Sequence, residues 1–167
     1  MRYQALLNFT SAIIATYPDS AIAICSIALA EIKNKDLPKL EVDFLNTIGF
    51  AWGIKGDNEH QIDYYEQCLL LSEENEYGEG ICRYYVNMGM ESNDEDNFNK
   101  AIYLFKQSLK ISEEYGINDN DYVILNNIGL SYYSNGDYKE AITYYFKSLS
   151  IHLEKKNLSE LNNSYRL

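Results

Sequence analysis

The chain has 167 residues, 46% of them hydrophobic and 14% aromatic, with 16 Tyr but only 2 Pro and 9 Gly. That is enough for one domain or a short repeat array, and it excludes a linker or a low-complexity chain. A formal charge of −11 without any block of Lys or Arg argues against nucleic-acid and anionic-membrane partners, which need clustered positive charge.

Taken in order, the apolar spacing predicts a helix over about 3–15 and a second from Pro18 to about Lys33, with Pro at the permitted first position. The apolar stretch 21–30 falls short of the roughly 20 residues a membrane span needs. It is preceded by Pro18-Asp19 rather than a basic region, so it reads as a buried helix and not as a signal peptide. Helical pairs follow over about 40–75, 79–115 and 120–156, which with the first pair, about 1–36, makes four units. The fourth is the clearest. Two helical runs flank Gly136-Asp137, where Gly136 supplies a left-handed residue and Asp137 starts the next helix. Glu140, three residues on, completes a capping box. Gly56-Asp57 repeats this turn, and Asp96-Asn97 replaces it in the third unit, where both residues tolerate the geometry or cap. Residues 158–167 form a partial fifth unit, in which Leu161 to Leu167 has room for about two helical turns and not a hairpin.

Written in rows of 40, the chain falls into columns. Ala21, Gln61, Ala101 and Ala141 share one; Ile22, Ile62, Ile102 and Ile142 the next. Cys25, Tyr65, Phe105 and Tyr145 align, as do Leu29, Leu69, Leu109 and Leu149. On the first helices Gly49, Gly89 and Gly129 form a column, with Phe9 in its place in the first unit. Such a period signals stacked supersecondary units. Glycine within a helix costs about 1 kcal/mol against alanine. Its recurrence therefore calls for a packing reason, a close crossing with the small residue of the second helix. The stripe of Tyr145 and Leu149 faces inward, and Trp52 and Tyr132 fill the gap beside the glycine. Gln61, bulkier than alanine, is expected to splay its hairpin, and Ser92, in the Trp52/Tyr132 column, to loosen the third unit.

These residues resemble the tetratricopeptide repeat (TPR): Leu125, Ile128, Gly129, Tyr132, Ala141, Tyr145, Ser148 and Leu149 in the fourth unit, with concordant copies in the second and third. The 40-residue period exceeds the standard of about 34. It is similar to the long repeats of bacterial peptide-receptor regulators and kinesin light chains. The resemblance implies an all-α, right-handed superhelical solenoid of TPR-like hairpins. The whole chain, 1–167, reads as a single repeat domain. The last helix would lack a neighbour for its outer face, so the chain is expected to be part of a longer protein in which an output domain follows, or to be covered there by a partner.

The resemblance also places the first helices on a concave binding face. Carried over residue by residue, that face presents Asn46 and Phe50 from the second unit, and Arg83, Asn87 and Met90 from the third. The fourth supplies Asn126, Asn127, Leu130 and Tyr133. Phe50, Met90 and Leu130 share a column and predict an apolar strip; the side-chain amides can both donate to and accept from a peptide backbone. The alternative is that these three pack against neighbouring repeats. A clamp for a C-terminal carboxylate is not expected, because Asn46, Val86, Asn126 and Phe50, Met90, Leu130 stand where the family's clamps place Asn and Lys. Arg83 is the lone cation of the face.

No catalytic motif, phosphate loop or dinucleotide fingerprint is present, so an enzyme is not expected. Asp119-Asn120-Asp121 fails as a calcium loop because Ile124 and Leu130 occupy its glycine and glutamate places. His60 and His152 belong to no metal-ligand cluster. Neither a cofactor nor a metal is expected. Cys25 and Cys68 read as core residues and Cys82 is undecided. Three cysteines without a Cys-x-x-Cys pair fit a reducing cytoplasm. The expected role is a scaffold or sensor module, regulatory in character, that binds a peptide or protein segment. The alternatives are self-assembly as a homodimer through the terminal repeats and a phosphatase-like peptide-receptor regulator.

Overall fold

The computed structural model describes the backbone of residues 2–164 and the side chains of residues 2–156. Among the described residues the regular structure is entirely helical. The helices are α1 (Arg2–Ile13), α2 (Pro18–Ile32), α3 (Pro38–Ile54), α4 (Asn58–Glu74), α5 (Gly78–Asp94), α6 (Phe98–Tyr115), α7 (Asp121–Ser134) and α8 (Tyr138–Ser164). A single 3-10 turn, Asn118–Asn120, precedes α7. The helices pair as the four expected units. Residues 158–164, expected to open a fifth, continue α8 without a break; residues 165–167 lie outside the described part. The chain forms two compact units, Met1–Tyr84 and Tyr85–Leu167.

The joints follow a shorter rhythm than the pairs. Left-handed backbone recurs at Asp36, Gly56, Glu76, Asp96, Gly116 and Gly136, one residue every 20. At the last five the next amide reaches back to a carbonyl five residues earlier. These bonds are Asp57 to Trp52, Tyr77 to Ser72, Asn97 to Ser92, Ile117 to Ser112 and Asp137 to Tyr132, at 2.7–3.0 Å. This is the Schellman closure, which satisfies a carbonyl left over at a helix end. The residue closing each loop alternates in character. Within a pair it is Asp57, Asn97 or Asp137. The carboxylate of Asp57 accepts from the His60 amide and the side chain of Asn97 from the Lys100 amide. Between pairs it is Leu37, Tyr77 or Ile117, with Tyr77 buried. Asp137 Oδ2 accepts from the side-chain amide of Asn135 at 2.7 Å.

The crossing of each pair is closer than an alanine-on-glycine contact alone describes. A Cβ placed on Gly49 would lie 2.8 Å from the Tyr65 ring, on Gly89 2.6 Å from Phe105, and on Gly129 2.8 Å from Tyr145. The bare backbone thus receives the aromatic ring one turn beyond the alanine column. The expected filler, Trp52 or Tyr132, instead stacks on a residue of the partner helix. Trp52 lies on His60 with centroids 4.6 Å apart, and Tyr132 on Tyr144 at 5.4 Å.

Two exceptions to the columns carry their own compensation. Gln61 is buried, and its amide carbon sits 2.7 Å from where a Cβ on Gly53 would be. Gly53, which the columns did not single out, makes the room that Gln61 needs. In the first unit Phe9 does not occupy the glycine place: it is exposed, and fully buried Thr10 meets the Cys25 thiol instead. Cys25 is small where the other units carry a ring, so a larger residue fits opposite. Ser92 is buried and its hydroxyl returns to the Met88 carbonyl at 2.8 Å.

In the first compact unit Leu7, Cys25, Ala28, Ile32, Phe44 and Ile48 form one cluster, and Val42, Leu45, Cys68 and Tyr77 another. In the second, Ala101, Ile102 and Phe105 of α6 pack on Ile124 and Ile128 of α7. Leu109 joins that cluster from the side, whereas Leu149, its counterpart on α8 and expected to face inward, is 48% exposed. All three cysteines are free thiols and buried, which settles Cys82 as a core residue alongside the other two. Burial pushes the Cys68 thiol up to about 12.

Because Phe105 is fully buried and cannot swing away, Gly89→Ala should lose about 1 kcal/mol or more, even after its gain in helix propensity. Gly136→Ala meets no atom within 4 Å, yet its φ of +89° should still cost about 1 kcal/mol. Urea midpoints of the two variants against the parent chain measure both.

Candidate functional site

The odd-numbered helices carry the residues expected to bind. A helix shows one stripe to its own pair and another outward. On α3 the inward stripe is Val42, Leu45, Ile48 and Gly49; on α7 it is Leu125, Ile128 and Gly129, all buried. One residue beyond each glycine, Phe50, Met90 and Leu130 are 45%, 47% and 47% exposed. Their near-equal exposure at equivalent positions means that no neighbouring helix of their own unit covers them. Asn126 is exposed, and Asn46, Asn87 and Asn127 are half-buried. Tyr133 is exposed and meets Tyr138 edge-on at 5.4 Å.

Arg83 is placed differently from an open cation. Its guanidinium donates to Asp43 Oδ1 at 2.5 Å, with both side chains about two-thirds buried or more. Beneath this pair, the Cys68 thiol points to the Val42 carbonyl at 3.5 Å. The charge of Arg83 is therefore met within the protein, and the pair ties α3 to the start of α5. Asp43 and Arg83 stand 40 residues apart, in the same column of consecutive repeats. Opposite charges in one column are the sequence signal that predicts this bond.

A cleft of about 360 Å³ opens on the outer side of α7 and α8, lined by Tyr122, Val123, Asn126, Tyr145, Ser148, Leu149 and His152. The sequence did not single it out as a site. Ser148 donates to the Tyr122 carbonyl at 2.5 Å, and His152 lies 5.1 Å from the Tyr122 ring. Burial raises the Tyr145 hydroxyl above its ordinary range. On α6 the position equivalent to His152 is Ser112, which donates to Asp121 of α7 at 2.5 Å; the cleft on α8 is where such a helix start would sit.

A second titratable cluster lies at the α3–α4 turn. His60 Nδ1 is 2.8 Å from Asp57 Oδ2, and the imidazole stacks on Trp52, which carries the Lys55 ammonium on its ring at 4.2 Å. The hydrogen bond to Asp57 raises the His60 pKa above its ordinary 6.5 and lowers that of Asp57. Among the described residues no group of His, Cys, Asp and Glu is arranged to hold a metal, and no helix is long and apolar enough to cross a membrane.

The paired helices agree with the comparisons. Residues 81–154 match the tetratricopeptide repeat. No curated protein matches the chain by sequence. Among solved structures, BtubC (BKLC) from P. vanneervenii superposes with a TM-score of 0.75 at 20% identity, over 92% of this chain and 65% of that one. The chain thus spans less than two thirds of BtubC. The nearly identical TPR-like repeats of a putative kinesin light chain from Podosopora anserina give a TM-score of 0.68 at 12% identity, over 92% of this chain and 76% of that one. MamA gives 0.56 at 16% identity, over 93% and 91%. The fold is the all-α TPR-like solenoid that the resemblance implies. TPR repeats generally mediate protein–protein interactions and are generally not catalytic.

Two measurements test the local electrostatics. Removing one member of a half-buried ion pair leaves the other poorly solvated, so Asp43→Asn should cost about 1–2 kcal/mol. In an Arg83→Gln background the same change should cost nearly nothing. Trp52 is the only tryptophan, so its fluorescence reports His60 directly. An imidazolium quenches a stacked indole, and emission should fall as pH drops through a midpoint above 6.5. Asp57→Asn should bring that midpoint down. The sign for stability follows: the contact with His60 favours folding below the unfolded pKa and is lost as pH rises through the folded one. The contribution from Asp57 is present above its unfolded value and is lost as pH falls through the folded one.

Proposed function

We propose that this chain is a protein-binding TPR module that takes a peptide or protein segment against an outward helix face present in each compact unit, that of α3 in the first and those of α5 and α7 in the second. The supporting observation is the column of Phe50, Met90 and Leu130, three large apolar side chains left nearly half exposed at equivalent places. Elsewhere on α3 and α7 the apolar residues of the inward stripe are buried. Single exposed hydrophobics are ordinary on a protein surface, but a repeating set is a mark of an interaction face. Asn46, Asn87, Asn126 and Asn127 add amides able to meet a backbone. With Arg83 already engaged by Asp43, the face suits an apolar segment rather than a terminal carboxylate.

In this reading the repeats work as one binding domain, without a cofactor, as a scaffold or sensor part of a regulatory protein in the cytoplasm. The regulatory role rests on likeness of fold and on no residue of this chain. The experiment begins with peptides selected on the purified chain from a displayed library. Leu130→Asp should weaken the selected peptides by about tenfold or more, with the far-ultraviolet circular dichroism unchanged. If the peptides bind the variant as tightly as the parent, the face lies elsewhere.

A further inference from the structure

The joint between α7 and α8 carries chemistry that the other joints do not. At the six left-handed joints described above, the preceding residue is in turn Lys35, Lys55, Asn75, Glu95, Tyr115 and Asn135. Two of these are asparagine, and Asn135 alone stands before a glycine. Asn135-Gly136 is the one Asn-Gly step in the 167 residues. Glycine has no Cβ to shield its own nitrogen, so the carboxamide beside it is open to an intramolecular reaction.

That reaction needs no reagent but water. The Gly136 nitrogen gives up its proton and attacks Asn135 Cγ. The new bond closes a five-membered imide, and the bond from Cγ to Nδ2 breaks to release ammonia. Water then opens the imide at either carbonyl. One opening leaves aspartate in an ordinary chain. The other leaves isoaspartate, with the main chain routed through the side chain and one methylene longer.

The surroundings give access, and the closed joint opposes attack. Asn135 and Gly136 are both exposed, and no atom lies within 4 Å of where a Gly136 Cβ would be. However, Asn135 has a ψ of −10°, and ring closure requires the Gly136 nitrogen to swing round until it eclipses Asn135 Cβ. The Gly136 amide is meanwhile engaged with the Tyr133 carbonyl at 3.0 Å, and Asn135 Nδ2 with Asp137 Oδ2 at 2.7 Å. These restraints must be released first, so the rate follows the fraction of time that the joint is open.

Conversion then damages the joint that delays it. Aspartate at this place sets a carboxylate against that of Asp137, where a hydrogen bond had been. It also adds negative charge at the C-terminal end of α7, where the helix dipole is already negative. Isoaspartate displaces Asp137 by an extra main-chain atom, and the bond from its amide to the Tyr132 carbonyl, 2.9 Å when closed, loses its register. The contact of Tyr133 with Tyr138 spans the same joint.

We propose that Asn135 is a deamidation site gated by opening of the α7–α8 joint, and that its conversion is a one-way step that loosens this helix pair. Asn75 is the control within the chain. It holds the same place before Glu76, and its amide donates to the Leu71 carbonyl at 2.8 Å. The inference does not depend on what the outward faces bind.

The test keeps the full chain in mildly alkaline buffer with and without urea and follows its peptides by mass spectrometry, with aspartate and isoaspartate products separated by elution. In urea Asn135 should give both products well ahead of any change at Asn75. In buffer alone the conversion of Asn135 should be slower by about tenfold or more. Asp137→Ala removes the acceptor of the Asn135 amide. It should speed the reaction of the folded chain by about threefold or more and leave the rate in urea nearly unchanged. Asn135→Asp reproduces the first product and should unfold at lower urea than the parent. Conversion at Asn75 as fast as at Asn135, equal rates with and without urea, or an Asn135→Asp midpoint equal to that of the parent overturns the proposal. The rates in the parent chain stand whether or not either variant folds.

Discussion

The contact between a ring on the second helix of each pair and a glycine on the first governs how near the two axes come. Tyr65 on Gly49, Phe105 on Gly89 and Tyr145 on Gly129 repeat it with the same few ångströms of clearance. A side chain at any of these glycines would push the ring outward and the helices apart. Where the ring is missing, as at Cys25, the opposing position enlarges to Thr10, and the sum of the two sizes is kept. Where the second helix carries Gln61, the first gives way at Gly53. The conserved quantity is the gap, not the residue.

That is why the columns carried so much of the fold. Helix pairing, the turns at Gly56 and Gly136 and the burial of Cys25 and Cys68 are legible, because each depends on a residue type that fits one place; the burial of Cys82 is not. The size exchanges were not legible. Gly53 has meaning only once Gln61 is known to lie above it, and Thr10 only once α1 is seen to present Thr10, not Phe9, to Cys25. The ion pair of Asp43 and Arg83 was written in one column of successive repeats, but a column of unlike residues is easily read as a column without a rule. Read from sequence alone, Arg83 is therefore an open cation, whereas the structure pairs it with Asp43.

The proposed binding face and the Asn135 joint are marked differently. Phe50, Met90 and Leu130 repeat with the fold, each left nearly half exposed at an equivalent place. Asn135 does not repeat. A carboxamide set before glycine occurs at one of the six left-handed joints, so it belongs to that joint and not to the array.

The left-handed residues at every twentieth place constrain how such a chain can change its length. A stretch of 20 added or removed would leave each bend intact but exchange the two kinds of helix, setting ring against ring and bare backbone against bare backbone. Only a step of 40 restores the alternation. The counting rule that evolution can read from this molecule is therefore twice the one that its turns display.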